Sequence, residues 1–164
     1  MHDLSLYLLE LLENAVRAGA TTVVTTIVAD RDADRLTLAV EDDGPGLPVP
    51  PGEVLDPFFT TKQGKKTGLG LSLFLQDAEA AGGGLRVGRS GGLGGVEARA
   101  WMELSHVDRP PLGDIAQSLV TMAAVNPDVT FVADLAAGED RLRLQGGEVV
   151  RQMPALVAFQ EALR

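Results

Sequence analysis

The sequence predicts an α/β (α+β) chain, and three observations carry that expectation. A leucine stripe at helical spacing opens the chain, β-branched and alternating runs follow it in hairpin order, and glycine clusters mark the joins.

Each element follows in turn. Residues 4–18 read as a helix, with Leu4, Leu8, Leu11, Leu12, Ala15 and Val16 on one face and Gly19 as its stop. Thr21 to Ala29 is an uninterrupted β-branched run and reads as a buried strand. The polar turn Asp30 to Asp34 leads into a strand from Arg35 to Glu41, completing a hairpin. A Gly/Pro-rich loop spans Asp42 to Gly52, residues 53–67 look irregular, and a helix runs from near Gly68 to Ala81, where Gly82-Gly83-Gly84 ends it. Leu85–Arg89 and Val96–Leu104 read as a second hairpin joined through Gly91 to Gly95. Pro110-Pro111 marks a boundary, which divides the chain into residues 1–104 and a small α/β extension, 105–164. In the extension a helix is expected from Gly113 to Val125, strands at Val129–Asp134 and Arg141–Gln145, and one or two short helices within 147–163. Its core candidates are Leu112, Ile115, Leu119, Val120, Met122, Phe131, Leu142 and Leu156. Such a segment either completes the fold or offers a surface for a partner or a homodimer.

Composition narrows the function. The chain of 164 residues is 45% hydrophobic and 23% charged, as an ordinary globular protein is. A net charge of −9 argues against nucleic acid as a general partner, because phosphate backbones need a basic face. The absence of cysteine excludes disulfides and thiolate metal sites, and two histidines, His2 and His106, make a His-rich metal centre unexpected. No apolar run approaches a membrane span, and Asp3 and Glu10 replace the basic start of a signal peptide. A cytoplasmic protein with no membrane partner is the expectation.

Three constellations carry chemistry. All three lysines, Lys62, Lys65 and Lys66, fall in one loop that runs into Thr67-Gly68-Leu69-Gly70-Leu71 at the start of a helix. Flexible cations beside successive backbone N–H groups suit a polyphosphate, although a solvated lysine loop has the same composition. It is not a Walker A loop, since Phe59 stands where that motif needs its first glycine. Phe58 and Phe59 offer the loop an apolar anchor.

The second constellation lies on the first helix, where Glu10, Asn14 and Arg17 recur at i, i+4 and i+7 with Glu13 beside them. One reading is a solvated face with a Glu13–Arg17 pair. The other makes Asn14 a hard oxygen donor to a metal ion on a triphosphate, Glu10 the base for an attacking water, and Arg17 a phosphate contact. The third constellation, Asp42-Asp43-Gly44-Pro45-Gly46, closes a strand. It reads either as a turn or as a carboxylate that accepts from an adenine amino group, above glycines that let backbone approach a flat ring.

Taken in order, Glu10-Leu-Leu-Glu-Asn14, Asp42-Asp-Gly-Pro-Gly46, Asp56-Pro-Phe-Phe-Thr-Thr-Lys62 and Thr67-Gly-Leu-Gly-Leu-Ser72 resemble the four ATP-binding boxes of a known superfamily. That superfamily contains the gyrase, heat-shock chaperone, histidine-kinase and mismatch-repair ATPases. The resemblance covers residues 4 to about 104. It implies a Bergerat-type two-layer α/β sandwich, a mixed sheet with helices on one face. It also implies ATP and Mg2+ as ligands. By carry-over, Asn14 coordinates magnesium, Asp42 reads adenine, and Gly44, Gly46 and Leu47 lie at the base pocket. Phe59, Thr60, Thr61, Lys62, Lys65 and Thr67 belong to the lid, and Gly68, Leu69, Gly70 and Leu71 meet the phosphates. Glu10 matches the water-activating glutamate of the ATPase branch, with Glu13 beside it, and Arg17 stands where kinases place a phosphate-contacting lysine.

Only nine residues precede Glu10, so the expectation is a stand-alone histidine-kinase-like ATPase without a kinase's dimerisation segment. His106-Val-Asp-Arg-Pro-Pro-Leu112 shares positions with a kinase phosphoacceptor pattern, but the double proline disfavours its helix and favours a linker histidine. Two outcomes stay open. One is an enzyme that hydrolyses ATP or transfers its γ-phosphate to a protein partner. The other is an ATP-gated binding module, like an anti-sigma switch, with little turnover.

Overall fold

The computed structural model describes residues 2–46 and 67–164, with backbone alone described at 67–69. Helix α1 spans Leu4–Arg17. Asp3 caps it by accepting from the Leu6 N–H at 2.9 Å. The next free N–H groups, of Leu4 and Ser5, donate to the carbonyls of Pro111 and Leu112 at 2.8 and 3.0 Å. The double proline therefore does more than punctuate the chain; it docks the first helix. Gly19, at φ +89°, ends α1 in the left-handed region, as its position after the leucine stripe predicts.

Strands β1 (Thr22–Asp30) and β2 (Arg35–Asp42) pair antiparallel. Helix α2 (Thr67–Ala80) follows, then β3 (Gly84–Arg89) and β4 (Val96–Glu103), antiparallel to each other, with β4 also pairing β2. Beyond the prolines come α3 (Ile115–Val125), β5 (Thr130–Ala137), β6 (Asp140–Gln145), α4 (Glu148–Arg151) and α5 (Met153–Leu163). Every element expected from the pattern is present, α2 beginning one residue before the expected glycine.

The connectivity is less legible. One six-stranded mixed sheet runs in the order β3-β4-β2-β1-β5-β6. β5 lies parallel to β1, with Thr22 against Thr130 and Ala29 against Ala137. A parallel neighbour needs a crossover, and α3 supplies it before β5. Residues 105–164 thus extend the sheet of the first hairpins, and α3 packs on α1. Leu112, Ile115, Leu119, Met122, Phe131 and Leu156 are buried in the common core, while Val120 and Leu142 pack partly buried against it.

The helices lie on one face of the sheet, as the resemblance implies, so the first strand, expected to be buried, is buried on one side. On β1, burial alternates: Val23, Thr25, Ile27 and Ala29 face the helices, and the intervening side chains are half exposed. A two-layer fold covers only one side of each strand. The Thr25 hydroxyl is buried without a hydrogen-bond partner among the described residues.

Candidate functional site

The end of β2, the second half of α1 and the first turn of α2 meet on the helix side. At the strand end, Asp42 is 5% exposed. Its Oδ1 accepts from the backbone N–H of Gly44 at 2.9 Å and of Val96 at 3.2 Å. The Gly95 N–H donates to the Asp42 carbonyl at 3.0 Å. The first two donors fix the carboxylate, and the third fixes the backbone where the strand turns away.

Two glycines make that close packing feasible. A Cβ on Gly95 would stand 2.3 Å from Asp42 Oδ1 and 2.7 Å from the Gly44 nitrogen. On Gly44 it would meet Asp42 Oδ1 at 3.2 Å, with the α1 end, Ala18 and Ala20, just beyond. Gly46 needs its left-handed φ of +93° instead. Gly95 escaped the sequence reading because Gly91 to Gly95 looks like a plain hairpin turn. The signal was its surplus of glycine over what a turn requires.

Asp43 faces the other way. Its Oδ1 accepts from the N–H groups of Thr21 and Thr22 at 2.8 and 2.9 Å, and its Oδ2 from the Thr21 hydroxyl at 2.6 Å. The Thr21 hydroxyl bond, then the backbone bonds, hold this carboxyl below its ordinary range. Adjacent aspartates therefore differ: Asp43 clamps the start of β1, and Asp42 lines the cleft.

On α1, Glu10 lies against Gly70 in the first turn of α2. A Cβ at Gly70 would come to 2.2 Å from Glu10 Oε2, so the glycine admits the carboxylate to the helix start. Burial pushes the Glu10 carboxyl above the ordinary range; His2 opposes the rise, Glu13 adds to it and Arg17 opposes it. Close by, α1 and α2 are tied through Tyr7, whose hydroxyl donates to Asp77 Oδ2 and whose ring stacks on Phe74 at 4.4 Å. Burial and that bond to Asp77 raise the Tyr7 pKa, keeping the phenol protonated.

Asn14 and Arg17 stand one turn further along α1. The Arg17 guanidinium donates to Asn14 Oδ1 at 2.7 Å. The expected Glu13–Arg17 pair is therefore replaced by Arg17–Asn14, an i, i+3 contact within the same helix face. Leu71 is buried in the core behind the first turn of α2. Thr67, Gly68 and Leu69 form the start of that helix. Leu47, Phe59, Thr60, Thr61, Lys62 and Lys65, like Phe58 and Lys66, lie outside the described residues. His106 sits beyond the far end of β4, a strand length of roughly 25 Å from the Asp42 end, and its Nδ1 accepts from the Asp108 N–H at 3.0 Å.

The cleft thus joins a fixed acid at a strand end, a half-buried glutamate at a helix start and an amide oxygen held by arginine. A family model described as histidine kinase-, DNA gyrase B-, and HSP90-like ATPase matches residues 2–106. The chain belongs to that family. It is an ATP-binding, histidine-kinase-like ATPase domain, and its six-stranded mixed sheet under one helical layer is the sandwich expected from the four boxes.

Individual relatives are similar over smaller shares. Sensor protein kinase PilS of Pseudomonas aeruginosa is 38% identical over 78 residues, 44% of this chain and 14% of the kinase. The ATP binding domain of PrrB from Mycobacterium tuberculosis is 30% identical, with a TM-score of 0.44 over 60% of this chain and 66% of that one. The N terminal domain of a DNA repair protein gives a TM-score of 0.52 at 11% identity, over 96% of this chain and 57% of that one. This last likeness concerns the fold alone. The chain covers less than two thirds of each of these relatives.

Proposed function

We propose that the chain binds Mg-ATP in the cleft between α1, α2 and the end of β2, and that it hydrolyses the nucleotide or passes its γ-phosphate to a protein partner. The observation that carries this reading is the placement of the Glu10 carboxylate against the first turn of α2. A helix start with glycine-exposed N–H groups favours phosphate, and a half-buried glutamate beside it can take a proton from the attacking group.

Each residue has a task in this reading. Asp42, its Oδ1 held by Gly44 and Val96, offers Oδ2 to the adenine amino group. Gly44 and Gly46 let the base lie close to backbone. Gly68 and Gly70 expose N–H groups to the phosphates. Asn14 Oδ1 suits magnesium, a hard ion that needs few protein ligands when phosphates and water supply the rest. When bound, the ion neutralises phosphate charge. Arg17 then exchanges Asn14 for a phosphate oxygen, a better partner for a guanidinium. Glu10 orients the nucleophile and receives its proton, so it must be ionised to act. The remaining lid residues and Glu13 at the rim complete the set. Phosphoryl transfer asks mainly for positioning and charge neutralisation, which these groups supply. A cytoplasmic setting fits an ATP-dependent role.

Water, a separate protein and His106 are the candidate acceptors in this reading. Incubation with γ-labelled ATP and magnesium, alone and with cell lysate, tests the proposal. Phosphate release, or label on a second protein, is expected. Failure to bind ATP at millimolar concentration would overturn it, and tight binding without either product would leave a nucleotide-gated switch in its place.

A further inference from the structure

The face of the sheet opposite the helices carries a second recess, separate from the nucleotide cleft. Register builds it from three strands. Thr37, Trp101 and Gly84 stand in one row across β2, β4 and β3, and Ala39, Arg99 and Arg86 in the next. Arg35, opposite Glu103, flanks the tryptophan from the other side. The indole lies over Gly84, where a Cβ would approach Cζ2 to 3.0 Å. Arg35 and Arg86 both reach the ring, their guanidinium carbons 5.7 and 5.6 Å from its centroid. Together with Thr37 and Arg99 they line a hollow of about 550 Å³.

Its charge is out of keeping with the chain. The protein has 23 acidic residues against 14 basic ones, so a surface arginine has carboxylates to choose from. Arg99 takes one, Glu97 at 3.1 Å. Arg35 and Arg86 have none among the described residues, and the carboxylate of Glu103, opposite Arg35 in register, lies against Gly82 instead. Two like charges are thus gathered on one aromatic ring with no ion-pair partner among the described residues. The ring lowers the cost of holding each cation but does not neutralise either.

We propose that this recess binds an acidic, extended segment of a protein partner, through carboxylates that pair with Arg35 and Arg86. Same-face side chains of an extended segment recur about every 7 Å, a spacing two guanidiniums converging on one indole can serve. A guanidinium fork matches a carboxylate in two parallel hydrogen bonds, and Thr37 adds a hydroxyl for the segment's backbone. Single-stranded nucleic acid fits less well. Its bases would have to displace the guanidiniums to stack, and its remaining phosphates would run onto a chain of net charge −9.

Trp101 is the only tryptophan, so its emission reads this hollow directly. The full chain is titrated with a synthetic peptide of alternating glutamate and threonine, with the same peptide carrying glutamine for glutamate, and with oligothymidylate. The acidic peptide is expected to shift the emission to saturation, and the glutamine peptide to bind about tenfold more weakly or less, since the charge-assisted bonds are gone. The double variant Arg35→Gln/Arg86→Gln should lose the response and keep its affinity for ATP, while Arg141→Gln, on the edge strand β6, should retain both. The proposal is overturned if no ligand moves the emission, if glutamine serves as well as glutamate, or if oligothymidylate binds more tightly than the peptide. A self-association in sedimentation that the double variant abolishes would likewise overturn it, in favour of a second copy on this face.

Discussion

The two ends of the sheet use the same hydrogen-bond chemistry to different effect. At one end Asp43 clamps Thr21 and Thr22, and at the other Asp34 accepts from the Ser105 N–H at 2.9 Å and hydroxyl at 2.8 Å. Both are acids in turns, and both secure neighbouring chain. Among the described residues, only the first end also holds a buried acid, Asp42, among glycines that bring a helix and a hairpin turn against it. A clamp alone makes structure. A clamp beside a fixed acid and close-packed backbone makes a cleft.

Substitutions at the two ends should separate these roles. The largest effect is expected from Glu10→Gln, with turnover falling about a hundredfold or more as a proton acceptor is lost. The same change should raise the melting temperature at neutral pH. Burial raises the Glu10 pKa above its unfolded value, so its contribution to stability is full below the unfolded value and lost as pH rises through the folded one. Hydrolysis, which needs the ionised form, should accordingly rise with pH through a midpoint above that of an ordinary glutamate. A rate–pH profile and a thermal melt check both, and turnover unchanged in the variant would remove Glu10 from the chemistry.

Asp42→Asn comes next. It keeps an oxygen for Gly44 and Val96 but presents an amide to the base, so ATP affinity measured by calorimetry should fall about ten- to a hundredfold with little change in melting. Asp43→Ala should do the reverse, costing about 1–3 kcal/mol of stability in urea unfolding while leaving the base contact in place. Its depressed pKa gives the sign with pH: the contribution is present above the unfolded value and lost as pH falls through the folded one. At the far end, Asp34→Ala should cost about 1 kcal/mol and leave ATP affinity untouched. An Asp34 variant that weakened ATP binding would break the contrast between the ends. Smallest of all, Thr25→Val, midway between them, should be neutral or stabilise by about 1 kcal/mol, since it removes a buried hydroxyl without a partner among the described residues.

What the sequence disclosed was local. The leucine stripe, the β-branched run, the glycine stops and the four boxes each declare themselves within a few residues, and the elements formed where these signals stood. What it withheld was adjacency across strands. Nothing near Gly95 shows that Asp42 lies under it, and nothing in Arg35, Arg86 or Trp101 shows that register gathers them on one face. Asp43 and Asp42 look alike in the sequence, and only the strand's alternation sends one to Thr21 and the other to the cleft. The Arg17–Asn14 bond was hidden for a related reason, since several partners lie within reach on one helix face and tertiary packing chooses among them.

The parallel pairing of β1 with β5 has a consequence for how the molecule is made. Its partners stand about a hundred residues apart in the chain, so this seam contributes nothing until most of the polypeptide has been synthesised. Until then β1 presents an unpaired edge of backbone N–H and C=O groups, a surface that invites pairing with other chains. Arrival of β5 both completes the sheet and closes that route to aggregation. The last third of the chain is therefore expected to govern whether the first two thirds can be recovered in soluble form.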